Sequence, residues 1–266
     1  MVNKIRLDLL LVERDLAESH SQAKRLVMAG QVRVDGQVRH KPAAKVDSTA
    51  RVEIERLPRF VSRGGEKLQA AFDHFDLDVE SKICADVGAS TGGFTDCLLQ
   101  HGAIKVYAID VGRGILDWKL RNDPSVVVME KTNARHLESL PEPVDVVTID
   151  VSFISLKVLL PVVAEWMAPS MPGQAGGQVV TLVKPQFEAE RREAARGRGV
   201  ISDPDIHRRV LREVLSSAQE HGYSLLGLIQ SPLKGPKGNI EFLTWLSMAE
   251  GRAGASPDDL LSELDL

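Results

Sequence analysis

The stretch Asp86-Val87-Gly88-Ala89-Ser90-Thr91-Gly92-Gly93-Phe94 decides how this chain is read. It follows the apolar run Ile83-Cys84-Ala85 and leads into Asp96-Cys97-Leu98-Leu99, which suits a helix. A strand, a glycine-rich turn and a helix start form a nucleotide-type cradle, because backbone and ligand approach closely where side chains are absent. The position at which a dinucleotide fingerprint needs its second glycine, to admit a pyrophosphate, is Ser90. No phosphate-loop lysine follows Gly92-Gly93. The cradle therefore suits an adenosine ligand without a phosphate chain, and S-adenosylmethionine is the candidate. Gly88, Ser90, Thr91, Gly92, Gly93 and Phe94 are its expected contacts, with Asp86 just before the turn holding backbone amides or reaching the methionine ammonium through water.

Outward from this turn, apolar runs predict strands at 83–87, 104–109, 125–129, 144–149 and 178–183, with helical stretches between most of them. Such alternation predicts an α/β fold with a parallel sheet covered on both faces. After a helix over 205–221, strands at 223–230 and 240–247 are too close in sequence for a crossover helix. They should form an antiparallel hairpin at the sheet edge. Seven strands ending in such a hairpin make the Rossmann-like architecture of class I methyltransferases, over residues 66–248.

Residues 1–58 form a different pattern, a small α+β module. Leu7, Leu9, Leu10 and Leu11 supply an apolar stripe for one helix, and Ser19 or Ser21 caps a second over 22–28, with Gly30 at its end. Residues 31–38 alternate around Asp35-Gly36, a hairpin signal, and 51–55 alternate again. The order Ser19, Ala23-Lys24, Gly30, Val32, Val34, Asp35-Gly36 resembles the RNA-binding domain shared with ribosomal small-subunit protein four. Residues 59–65 read as a linker. Residues 249–266, acidic and rich in Gly, Ala and Ser, read as a mostly disordered tail that ends in a possible short helix.

The formal net charge of −4 hides an asymmetry. Residues 1–63 hold 13 Lys or Arg against 8 Asp or Glu, whereas residues 64–248 hold 19 against 24. A basic module on an acidic remainder is the distribution expected of a nucleic-acid-binding appendage. Arg6, Lys24, Arg25 and Arg33 are its candidate RNA contacts. The start of the chain is no signal peptide and no apolar run is long enough to span a membrane. Cys84 and Cys97 fit reduced core positions, and the seven histidines show no metal-binding spacing. These features predict a cytoplasmic protein without a metal and without a membrane partner.

Several charged residues fall at strand ends. Asp110 closes the strand that follows the cradle, about twenty residues on, where a carboxylate can accept ribose hydroxyls. Asn133 and Ala134, after the third strand, are placed for an adenine contact. Asp150 ends the fourth strand and Lys184 the fifth, Glu241 interrupts an apolar strand, and Lys67 opens the helix after the linker. A lysine closing a buried strand is costly unless its ammonium is paired or exposed in a cleft.

The order Lys67, Asp150, Lys184, Glu241 around this turn resembles the FtsJ-like ribose 2′-O-methyltransferases. The N-terminal module narrows the resemblance to the TlyA family, also labelled haemolysin A, over residues 4–248. By that match the four residues correspond to the family's catalytic tetrad, and Arg59-Phe60-Val61-Ser62-Arg63-Gly64-Gly65 to its interdomain linker. Asn133 departs from the aspartate common in FtsJ proteins. The resemblance implies S-adenosylmethionine as cofactor and ribosomal RNA or ribosomal subunits as partner, with a cytidine ribose as target. Lys184 would receive the hydroxyl proton or, as a charged ammonium, only position the substrate. Two other classes compete. A non-enzymatic RNA-binding protein could keep a degenerate methyltransferase fold, but the intact turn and tetrad argue against it. A pore-forming haemolysin lacks any apparent secretion signal, membrane span or lipid-binding segment.

Overall fold

The computed structural model describes residues 4–55, 58–167, 176–249 and 254–265. The chain divides into two compact units, Met1–Pro58 and Arg59–Leu266. The first contains β1 (Lys4–Arg6), α1 (Leu7–Glu13), α2 (His20–Met28), β2 (Val32–Val34), β3 (Gln37–Arg39), β4 (Lys45–Asp47) and β5 (Val52–Ile54). Strand β2 lies between β3 and β5, and β1 pairs with β4, all antiparallel. The Ser19 hydroxyl accepts the Gln22 N–H and so caps α2. Asp35 and Gly36 both take positive φ (51° and 79°), the twist that lets a two-residue turn join β2 to β3. Leu7, Leu10 and Leu11 pack into the small core with Ala23, Val27 and Val32. Leu9, expected in the same stripe, is 44% exposed, because positions 7, 10 and 11 already occupy the buried face at helical spacing. The β1–β4 pair was not legible in sequence, since three-residue strands carry no periodic signal.

The second unit runs α3 (Gly64–His74), β6 (Ile83–Val87), α4 (Gly93–Gln100), β7 (Lys105–Ile109), α5 (Trp118–Arg121), β8 (Val126–Met129), β9 (Val146–Ile149), α6 (Leu156–Ala164), β10 (Gln178–Val183), α7 (Pro185–Glu188), α8 (Arg191–Arg196), α9 (Pro204–Glu220), β11 (Ser224–Gln230), β12 (Phe242–Ser247) and α10 (Pro257–Ser262). Its seven-stranded sheet has the order β11-β12-β10-β9-β6-β7-β8. Strands β10, β9, β6, β7 and β8 are parallel, and β12 runs antiparallel to both β10 and β11. Every residue of β9 and β10 is buried, as both faces are covered. On one face α9 contributes Val210, Leu211, Val214 and Leu215, each worth about 1.5–3 kcal/mol when fully buried.

The fold positions the site through strand order. The chain passes from β6 outward to β7 and β8, then returns to β9 on the other side of β6. Helical connections therefore leave in opposite directions at the carboxyl ends of β6 and β9, opening a crevice there. Asp110, Asp150 and Lys184 each follow the last residue of a parallel strand and stand at that edge.

Two boundaries differ from the sequence reading. Helix α3 starts at Gly64, and the stretch before it is packed: Phe60 is buried, and the Val61 N–H donates to Asp96 Oδ2 at 2.8 Å. A side chain on Gly65 would overlap the Phe60 ring, so the two residues fit only as this pair. The tail is ordered over 254–265, where α10 carries Ser256 in a capping box and buries Leu260 and Leu261 in the main core. The short helix expected at the end of the tail is therefore present, and two leucines at the right register suffice to dock it. Among the described residues no helix is long and apolar enough to cross a membrane.

Candidate functional site

Two adjoining cavities open at the crevice. Gly88 follows β6 at φ 85°, and the N–H groups of Gly88 and Ala89 both donate to the Ile109 carbonyl. A Cβ on Gly88 would lie 2.6 Å from the Asp150 carbonyl oxygen, so the turn closes on β9 only with glycine here. Ser90 continues the turn at φ 51°, an uncommon conformation for a residue with a side chain. Asp110 holds it there: Oδ2 accepts the Ser90 N–H at 2.8 Å while Oδ1 accepts the Gly112 N–H at 2.7 Å. The larger cavity, about 330 Å³, is lined by Gly88, Ser90, Asp110, Asn133, Ala134 and Asp150 with apolar walls from Val111, Ile115 and Leu159. Asn133 Oδ1 accepts the Arg135 N–H at 3.1 Å and so starts the 3₁₀ turn Ala134–His136. The smaller cavity, about 250 Å³, shares Gly88, Ser90 and Asp150 and adds Thr91, Gly93, Phe94, Ser62, Arg63, Lys67 and Lys234.

Asp86 and Gly92, expected among the cofactor contacts, line neither cavity. Asp86 is fully buried and accepts the Thr95 hydroxyl at 2.7 Å and the Thr148 hydroxyl at 3.2 Å, tying the first turn of α4 to the sheet. Burial, reinforced by the nearby Asp150 charge, pushes its carboxyl up to about 7 despite those hydrogen bonds. Gly92 turns the chain at φ 97° against Leu116 and Leu120, where a Cβ would collide.

The four charged residues form two ion pairs. Lys67 Nζ lies 2.6 Å from Glu241 Oε2, and Lys184 Nζ lies 2.6 Å from Asp150 Oδ1. Lys67 and Asp150 face the smaller cavity; Lys184 and Glu241 are 8% and 1% exposed behind it. The Lys184–Asp150 contact is close in distance but off the direction of a hydrogen bond, so Oδ1 has a counter-charge and no aligned donor. Lys184 also donates to Ser152 Oγ at 3.2 Å and stands 5.9 Å from the Phe187 ring centre. Gln186 Nε2 reaches the other Glu241 oxygen at 3.4 Å. Two mostly buried ammonium–carboxylate pairs thus stand beside the cavities, and an arrangement of this kind can bind and move a proton.

The FtsJ-like methyltransferase family matches residues 60–248, the whole of this arrangement. The chain belongs to that family. Within this FtsJ-like methyltransferase the S4 domain family matches residues 5–52. The 16S/23S rRNA (cytidine-2′-O)-methyltransferase TlyA of Mycobacterium tuberculosis is 45% identical, covering 95% of this chain and 93% of that protein. Hemolysin A of Brachyspira hyodysenteriae is 41% identical, covering 90% and 98% respectively. The solved structure described as "Putative hemolysin from Streptococcus thermophilus" is 42% identical, with a TM-score of 0.71 over 99% of this chain and 96% of that one.

In the first unit of this FtsJ-like methyltransferase the candidate RNA contacts do not share one environment. Lys24 and Arg25 are exposed on α2. Arg6 makes a two-pronged pair with the buried Asp8, 3.0 and 2.7 Å, which His20 also approaches at 3.3 Å. Arg33 pairs with Glu55 in a groove whose other charges are Asp15, Glu18 and Glu53, so its cation is already compensated. Sequence reasoning missed Ser152, Gln186, Ser62, Arg63 and Lys234. The first two lie two residues beyond a strand-end charge, and that adjacency was the available signal; Ser62 and Arg63 belong to the 59–65 segment read only as a linker, and Lys234 reaches the site from a segment with no motif.

Proposed function

We propose that the chain methylates a ribose 2′-hydroxyl of ribosomal RNA, a cytidine, using S-adenosylmethionine. The observation that carries the reading is the pair of cavities meeting at Gly88, Ser90 and Asp150 beside the Lys184–Asp150 pair. The residues fit the cofactor. The larger cavity combines apolar walls with the Asp110 carboxylate and suits an adenosyl group, with Asn133 and Ala134 at the base. The smaller one carries Arg63, whose cation suits an amino-acid carboxylate, and Gly88 lines both cavities without a side chain. When bound, S-adenosylmethionine supplies an electrophilic methyl carbon on a positively charged sulfur.

The protein's own task is alignment and proton removal. Asp150, at the junction of the cavities, accepts the substrate hydroxyl as a hydrogen-bond donor. Lys184, fixed by Asp150 and Ser152, orients it, and the Lys184–Asp150 pair as a unit would take up the proton as the oxygen–carbon bond forms and the carbon–sulfur bond breaks, its electron pair leaving on the now neutral sulfur. Glu241 holds Lys67 at the cavity wall, and Gln186 holds Glu241. The first unit, with the S4 domain match, carries the RNA and leaves the methyl-transfer chemistry to the second. The test is to incubate purified protein with methyl-labelled S-adenosylmethionine and ribosomal subunits lacking the modification, then to locate the label. Label in 2′-O-methylcytidine is the expected result; cofactor that does not bind, even with RNA present, would refute the reading.

A further inference from the structure

Beyond the tetrad lies a third depression, an open groove of about 610 Å³. It is walled by Phe153, Gln186, Phe187, Arg191, Arg198 and Lys237, with alanines of 189–195 between them. Phe153 belongs both to this groove and to the larger cavity, so the two adjoin at its ring. Gln186 connects the groove to Glu241, and its Oε1 is buried without a partner.

The groove is cationic, and among the described residues no carboxylate lines it. Arg191, Arg198 and Lys237 are exposed. The acids nearest in sequence are already taken, Glu190 by Arg192 and Glu193 by Arg209. This is not an effect of composition, because residues 64–248 carry five more acids than bases. The segment is also anchored. Asn239, 3% exposed, donates to the Gly199 carbonyl at 2.9 Å and accepts the Ile201 N–H at 2.9 Å. The residues bearing Arg198 are thereby tied to the loop that leads into Glu241.

We propose that this groove is the track for an unpaired RNA strand beside the methylated nucleotide, with Arg191, Arg198 and Lys237 neutralising its phosphodiesters. The proposal rests on the ribose-methylation reading and extends it, giving the catalytic unit its own RNA contacts apart from the S4 domain. Cations spaced along an apolar, aromatic-containing floor are what a flexible polyanion with planar bases requires.

The test uses the full chain with Arg191→Gln, Arg198→Gln and Lys237→Gln combined. Binding of an oligocytidylate of about twelve nucleotides is followed by fluorescence anisotropy across a KCl series. Three lost phosphate contacts should lower the slope of log affinity against log salt by about 2, at roughly 0.7 per contact on single strands. Affinity at low salt should fall at least tenfold, while cofactor affinity stays at the wild-type value. The three single variants, each lowering the slope by about 0.7, carry the test if the triple variant does not fold. An unchanged slope and affinity in a variant that binds cofactor normally would overturn the proposal. So would displacement of the RNA by oligoglutamate of equal charge at equal concentration, which would make the groove a peptide site. Wild-type protein showing the groove-dependent slope but no methyl transfer would leave the track standing and remove ribose methylation.

Discussion

Lys184→Ala removes the ammonium that stands 2.6 Å from Asp150 Oδ1 and 3.2 Å from Ser152 Oγ. The side chains of Lys184 and Asp150 are 10% and 20% exposed, so the deletion leaves a mostly buried carboxylate without its counter-charge. Breaking a fully buried pair costs about 3–5 kcal/mol. Because a fifth of Asp150 is open to water, screening reduces this to roughly 2–3 kcal/mol of folding stability. At about 2–4 °C per kcal/mol for a unit of this size, the melting temperature should drop by roughly 5–10 °C. The rate should fall by at least about 10²-fold, or about 2.7 kcal/mol of transition-state stabilisation. The two losses separate in the double variant Lys184→Ala with Asp150→Asn. Removing the stranded charge should restore most of the melting temperature and none of the rate. The assay is single-turnover transfer of labelled methyl to ribosomal subunits, alongside calorimetric cofactor affinity and a thermal melt. A Lys184→Ala protein within threefold of the wild-type rate refutes the role of the pair. Lys184→Arg keeps the charge but cannot release a proton at working pH. Near-normal turnover in that variant would exclude proton uptake by Lys184 and leave positioning.

Asp110→Ala should weaken cofactor binding by about 1.5–3 kcal/mol, because a charge-assisted contact is lost and the Ser90 turn loses its anchor; equal calorimetric affinities would remove Asp110 from the site. Gly88→Ala should impair cofactor binding and methyl transfer together, since the new Cβ meets the Asp150 carbonyl at 2.6 Å; unchanged values for both would mean that the turn has room to shift. Asp86 contributes a pH dependence of stated sign. Its carboxyl titrates at about 7 in the fold and near the ordinary 3.8 when unfolded, so the native state binds more protons between these values. Its contribution to stability is fully present below the unfolded value and is lost as pH rises through about 7. Thermal melts of Asp86→Asn should lack this part of the decline, and identical pH profiles for the two proteins would contradict it. Removal of residues 1–58 should leave cofactor binding intact and abolish methylation of structured RNA; full activity of the shortened protein on ribosomal subunits would contradict that division.

The sequence alone determined the sheet and the site's edge. Apolar runs of four to seven residues are visible in a chain because a strand buried on both faces needs nearly every position apolar, and β9 and β10 come close, with Thr148, Thr181 and Gln178 as their buried polar exceptions. The glycine turn and the strand-end charges were legible for a related reason: at the end of a parallel strand, position in sequence fixes position in space. Tertiary structure alone decided which of those charges meet. Lys67 and Glu241 are 174 positions apart, and their 2.6 Å contact depends on β12 inserting beside β10 and on α3 packing behind it. It also decided that Asp86 turns away from the ligand. A strand residue has two faces, and only the packing of Thr95 and Thr148 over one of them shows which it takes. The order of residues 254–265 and the neutralised state of Arg33 have the same origin. Local composition carries the sign of a charge or the polarity of a tail, but the partner that buries or cancels it arrives from a distant part of the chain.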